Sequence, residues 1–200
     1  MQNKSTSHHP LWKITLSPAT ITLIPVAVGI NYVAKAFAEG LKLPVWLGSL
    51  GTFLASMLGG PLAGAISGFT NNIIYSLTLS PMSGVYSITS IAIGLTVGLL
   101  FARGWFKTKK CILLAALVIA VISAVISTPL NIIFYGGQTG IVWGDTVFAL
   151  LVGHHFPVWV ASFLDEFMLD ILDKIVVAYL AAFIYHQLPQ RLISFFKKVR

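Results

Sequence analysis

Between Trp159 and His186 the chain reads WVASFLDEFMLDILDKIVVAYLAAFIYH, long and apolar enough to cross a bilayer, where about 20 residues suffice. Yet this run holds Asp165, Glu166, Asp170 and Asp173, four of the six acidic residues in the protein. At about 100° per residue, Glu166, Asp170, Asp173 and Lys174 share one side of a helix. Met168, Leu172, Ile175, Tyr179 and Phe183 take the other. A carboxylate facing lipid costs several kcal/mol, so the polar side must face protein or a watery cavity. Two readings are open. The side lines a path for a polar solute or ion, or it is a self-satisfied network in which Asp170 and Lys174 pair at i,i+4. Depth divides the residues: Asp165 and Glu166 lie near the start of the span, where a bound solute or its gate is expected. Asp170, Asp173 and Lys174 lie deeper and are expected to form a structural charge network.

The rest of the composition agrees with a membrane chain. It is 56% hydrophobic and 10% charged, and several windows exceed the about 18 apolar residues of a span. The expected fold class is all-α: a polytopic membrane protein of six transmembrane helices with both termini cytoplasmic. The net charge of +7 does not point to nucleic acid. Lys4, Lys13, Arg103, Lys107, Lys109, Lys110, Arg191, Lys197, Lys198 and Arg200 fall in three segments without an acid: the N-terminus, one loop and the C-terminus. That distribution is what the positive-inside rule produces in a multi-pass protein of the cell membrane, which is expected to be prokaryotic. The lone Cys111 excludes an internal disulfide and is expected to be a buried small hydrophobe. No cleaved signal peptide is expected from MQNKSTSHHP. His8 and His9 read as a solvated tail rather than a metal site.

Taken in order, residues 1–18 form a cytoplasmic or interfacial tail, residues 19–188 the six-helix domain and residues 189–200 a basic tail. The first helix is expected from Ala19 to Glu39 with a kink at Pro25; Ala27, Gly29, Ala34 and Ala38 offer close approach to another helix, and Asn31 needs a partner. The second is expected from Val45 to Leu58 and the third from Pro61 to about Leu77, with Gly64 and Gly68 as a small-residue ridge. The fourth spans Ile88 to Phe101. The fifth spans Ile112 to Tyr135, interrupted at Ser127, Pro129 and Asn131. Residues 136–157 form the longest connection, and its apolar run Thr146–Gly153 is too short to span. The sixth is the acidic helix.

Catalytic motifs are missing: there is no phosphate loop, Cys/His metal spacing or G-x-S-x-G elbow, so no metal, cofactor or enzymatic activity is expected. His154, His155 and Asp145 resemble a base and its orienter only superficially, since adjacent histidines point apart and no nucleophile accompanies them. Asn71, Asn72, Tyr75, Tyr86, Asn131, Tyr135, Gln138, Trp143 and Asp145 fall at helix ends or loops near one membrane surface. Aromatic planes and amides in that mixture suit capture of a flat, hydrogen-bonding small molecule, although an interfacial aromatic belt uses the same residue types.

Several phrases carry a likeness. LIPVAVGIN, LKLPVWLGSLGT, GGPLAGAISGFTNN and FLDEFMLDILDKIVVAYLAAFIYHQLPQRL resemble the membrane substrate-binding (S) components of energy-coupling factor transporters, over nearly the whole chain. The resemblance implies six helices and a vitamin or related micronutrient bound near the outer surface. It also implies a transmembrane coupling protein and two ATPase subunits as partners. On that likeness, docking falls to Ala27, Gly29 and Asn31, with Ala34 and Ala38 as a further A-x-x-x-A. Gly48 stands where the L-x-S-x-G-T phrase of close relatives is expected to carry an acid. The alternative is a ligand-sensing membrane domain of a signalling protein, against which the short stretch after the last helix speaks.

Overall fold

The computed structural model describes residues 18–199, and these are helical without any strand. The N-terminal residues with Lys4, His8, His9 and Lys13, and Arg200 at the other end, lie outside the described residues. Eight α-helices follow in order: α1 (Pro18–Gly40), α2 (Leu50–Gly59), α3 (Pro61–Thr78), α4 (Ser87–Ala102), α5 (Lys109–Tyr135), α6 (Val142–Gly153), α7 (Val158–Gln187) and α8 (Gln190–Val199). A 3-10 turn, Pro81–Gly84, joins α3 to α4.

The helices present apolar side chains outward. Val26, Val33 and Phe37 on α1, Leu114, Val121 and Val125 on α5, and Leu172, Val176 and Phe183 on α7 are all exposed at helical spacing. Inside stand Asn31, Asn71, Asn131, Asp165, Asp170, Asp173 and Lys174, each nearly or wholly buried. A water-soluble domain distributes these residue types the other way round. Two helices, α1 and α5, are long and apolar enough to cross a membrane. The acids and Lys174 break up the longer α7.

The interior divides into two parts. Leu50, Phe53, Leu54 and Met57 of α2 pack with Ile93, Val97 and Leu100 of α4, Ile112–Ile119 of α5 and Val177–Ala182 of α7. This dry cluster lies toward the end that bears the Arg103–Lys110 loop, whose Phe106 belongs to it. Alanines supply the close α5–α7 approach. At α3 against α4 the requirement is stricter: a Cβ on Gly94 would overlap the backbone of Gly64 and Ala65. The ridge predicted from α3 alone thus has its counterpart on α4.

Three elements differ from the sequence expectation. The second helix starts at Leu50 rather than Val45, and 41–49 are largely irregular. At about 1.5 Å per residue, ten-residue α2 covers only about half a bilayer. The fifth helix is unbroken from Lys109 to Tyr135 despite Pro129. The Thr128 hydroxyl donates to Ala124 O at 2.7 Å in the turn before the proline. The connection after α5 contains the twelve-residue α6, which begins at Val142 rather than Thr146. Cys111 is half-buried, in the first turn of α5, and its N–H donates to the capping Thr108 hydroxyl at 3.3 Å.

Candidate functional site

A cavity of about 760 Å³ opens between the end of α1, the 41–49 segment, the start of α4, the middle of α5 and the first half of α7. That is the size range of small-molecule pockets. Its place follows from chain direction: α1 and α5 finish there, α4 and α7 begin there, and the dry cluster closes the far side.

The irregular segment is held by α7. Trp46 N–H and Leu47 N–H donate to Asp173 Oδ1 at 3.1 and 2.8 Å. Leu47 adopts φ 52°, in the left-handed region that non-glycine residues seldom enter. Unwound backbone in an apolar setting is tolerated where it lines a cavity and its polar groups are satisfied. Lys174 Nζ completes the arrangement, lying 2.7 Å from Asp173 Oδ2 and 2.8 Å from Asp170 Oδ1. The i,i+4 pair read from sequence is therefore present, with Asp173 as a second partner. All three residues of this network also line the cavity. Asp170 Oδ2 is buried and accepts no hydrogen bond, with the Ser123 hydroxyl in its neighbourhood.

Glu166, one turn earlier, is reached through a relay. Tyr86 O–H donates to Asn131 Oδ1 at 2.5 Å, and Asn131 Nδ2 donates to Glu166 Oε2 at 2.9 Å. The Tyr135 ring stacks on Tyr86, and its hydroxyl donates to Met82 O at 3.3 Å. Of the residues proposed from sequence, Asn72, Tyr86, Trp143 and Glu166 line the cavity. Asn72 spans α3 and α4, donating to Tyr86 O and Ser90 Oγ. Asn131 and Tyr135 support the lining from behind.

The remaining predicted residues stand apart from the cavity wall. Asp165 accepts from the Thr139 hydroxyl at 3.2 Å, and Asp145 accepts from Thr139 N–H and Gly140 N–H at 3.0 and 3.1 Å. These two carboxylates pin the loop that forms the cavity's rim rather than the cavity itself. Gln138 is exposed and Asn71 is buried between helices. Tyr75 is buried too, its hydroxyl donating to Glu39 Oε2 at 2.6 Å. His154 and His155 follow α6 and Asp145 lies in its first turn, so this triplet is not assembled.

Several lining residues were missed. Lys35 lies within α1, its Nζ donating to Ser83 Oγ at 2.6 Å and standing 4.3 Å from the Tyr75 ring centroid. A cation inside an apolar run, with Glu39 one turn on, was a readable signal of function. The hydroxyls of Ser49, Thr89, Ser90, Ser123 and Ser127 had none, because serine and threonine also satisfy helix backbone.

The α1 positions assigned to docking split. Ala27, Asn31 and Ala38 are buried, whereas Gly29 is exposed and Ala34 half-buried. A Cβ on Gly51 would overlap Ala27 O, and Asn31 binds Thr52 Oγ1 at 2.8 Å and Gly51 N–H at 2.7 Å. Ala27 and Asn31 thus join α1 to α2, and the face α1 turns outward is Val26, Gly29, Val33 and Phe37.

Fold and site together describe an all-helical protein, apolar outside, with a charged and hydroxyl-rich cavity within. Compared with protein-family models, with curated proteins and with solved structures, the chain matches none of them.

Proposed function

We propose that the protein is the substrate-binding S component of an energy-coupling-factor importer, embedded in the cell membrane of a prokaryote. It captures a vitamin-like small molecule and hands it inward with a transmembrane coupling protein and two ATPase subunits. The observation that carries this reading is the cavity of about 760 Å³, walled by buried charges in a molecule with an apolar exterior. Ionisable groups at membrane depth are costly and mark ligand or ion paths.

In this reading α1, α2 with its unwound lead, α3, α4, α5 and α7 make six crossings. The Arg103–Lys110 loop and both ends face the cytoplasm, so the cavity opens outward beneath α6. Cysteines placed at Lys109 and Gln138 in a Cys111-free background then label differently with an impermeant thiol reagent on intact cells. The outward face of α1 docks the coupling protein: Gly29→Trp blocks assembly while cargo binding survives, whereas Ala27→Trp disrupts the fold itself.

The direct test is mass spectrometry of small molecules released by denaturing protein purified in lipid nanodiscs. A stoichiometric cargo, lost when Tyr86 and Glu166 are both replaced, is the expected outcome. A pure protein that carries and binds nothing sinks the reading.

A further inference from the structure

The charges on the cavity wall are unevenly placed. From α7 come three carboxylates, Glu166, Asp170 and Asp173, against the single ammonium of Lys174. Asp173 is fully occupied by Lys174 and by two backbone N–H groups. Asp170 gives one oxygen to Lys174, and the other, on a residue 1% exposed, has the neutral Ser123 hydroxyl beside it. Glu166, 5% exposed, has the neutral Asn131 amide as its hydrogen-bond donor and no salt bridge. Two carboxylates one helical turn apart therefore line the cavity short of positive charge. The α1 side is opposite in sign, with Lys35 and Lys42 against Glu39. Lys35 Nζ reaches Glu39 only at 4.0 Å and has the Ser83 hydroxyl as its close acceptor.

Resting on the capture reading above, we infer the class of cargo: a small molecule with a protonated nitrogen, taken between Glu166 and Asp170, and an acceptor group turned to Lys35. Side chains at i and i+4 have Cβ atoms about 5–6 Å apart, so one ammonium, amidinium or aminopyrimidine-type nitrogen reaches both carboxylates. Charge-assisted hydrogen bonds of about 2.7–2.9 Å then bring a second positive charge to a pair that has Lys174 beside it, itself shared with Asp173. Tyr86, through Asn131, fixes the Glu166 carboxylate before the cargo arrives. The hydroxyls of α4 and α5 fit the polar flanks of such a molecule, and Trp46 and Trp143 its flat faces. A cargo with carboxylates alone meets repulsion from α7.

The test uses the full chain in nanodiscs and, as probe, a protein-free extract of the expressing cells and their rich medium. Electrophoresis in acid divides this extract into a pool that migrates to the cathode, holding every basic nitrogen, and a remainder. The cathodic pool is expected to raise the melting temperature. Glu166→Gln, which keeps the bond from Asn131, and Asp170→Asn should each raise the amount needed for half-maximal protection by about tenfold or more. Lys35→Met should weaken protection too, while leaving the preference for the cathodic pool intact. Protection by the remainder alone, or equal protection of Glu166→Gln, Asp170→Asn and the parent protein, overturns the charge assignment and leaves the capture reading standing. Protection by neither pool overturns both.

Discussion

One helix, α7, passes through two kinds of interior. From Asp165 to Lys174 its inward face is, apart from Leu169, carboxylate and ammonium; from Val177 to Ala182 it is valine and alanine. Both inward faces are almost completely buried, and both stretches turn apolar residues outward, Met168 and Leu172 in the first, Phe183 in the second. The difference lies in what fills the space between helices. In the dry half, small side chains bring α5 and α7 together, and dispersion over many contacts holds them. In the polar half the helices stand apart around a cavity, and specific bonds replace packing: Asp173 to Trp46 and Leu47, Lys174 to Asp170. An otherwise apolar helix can carry acids when neighbouring chain needs acceptors. Here the neighbour is the unwound segment before α2.

The contrast makes the polar half the more brittle, and the largest expected effect tests that. Lys174→Met leaves Asp170 and Asp173 without their ammonium and should cost about 3–5 kcal/mol, read from denaturation in mild detergent. Adding Asp170→Asn should recover part of this, but not all, since Asp173 still lacks its counter-charge. If Lys174→Met melts like the parent protein, the charges do not hold this half together.

In the dry half, Ala178→Phe inserts a ring where α5 and α7 meet and should cost about 1–3 kcal/mol. The folded fraction should still bind cargo with unchanged affinity, because the cavity lies elsewhere along the helix. Altered affinity would mean that the two halves are mechanically coupled.

Tyr86→Phe strips the donor from Asn131 Oδ1 and should cost about 1–2 kcal/mol in stability, the usual range for an orphaned buried acceptor. It sharpens the comparison by also lowering cargo affinity, which no change in the dry half should do. Unchanged binding by Tyr86→Phe and no stability change would remove the relay from the site.

Smallest of all should be Val33→Ala on the outward face of α1, within about 0.5 kcal/mol, since the side chain is exposed and meets no packed neighbour.

Much of this was legible from residue order alone. Periodicity placed the acids of α7 on one side and its apolar residues on the other, and an i,i+4 spacing announced Asp170 with Lys174. Apolar length announced the two helices long enough to cross a membrane, and proline, glycine and basic residues marked most helix ends within a few positions. These are local properties: each depends on residues no more than a few turns apart, whose relative positions the helix itself sets. Tertiary structure alone decided the rest. Trp46 and Leu47 find their acceptor in Asp173, well over a hundred residues along the chain, so helix propensity read Val45 as a helix start where the fold keeps the backbone open. Ala27 is outward or inward according to where α2 lies, and Gly51 brings α2 against it. Ser123 and Ser127 became cavity wall, and Asp165 became a rim anchor, because helices distant in sequence met around them. A side chain's type and periodicity state which environment it requires; which distant group provides that environment is a matter of packing.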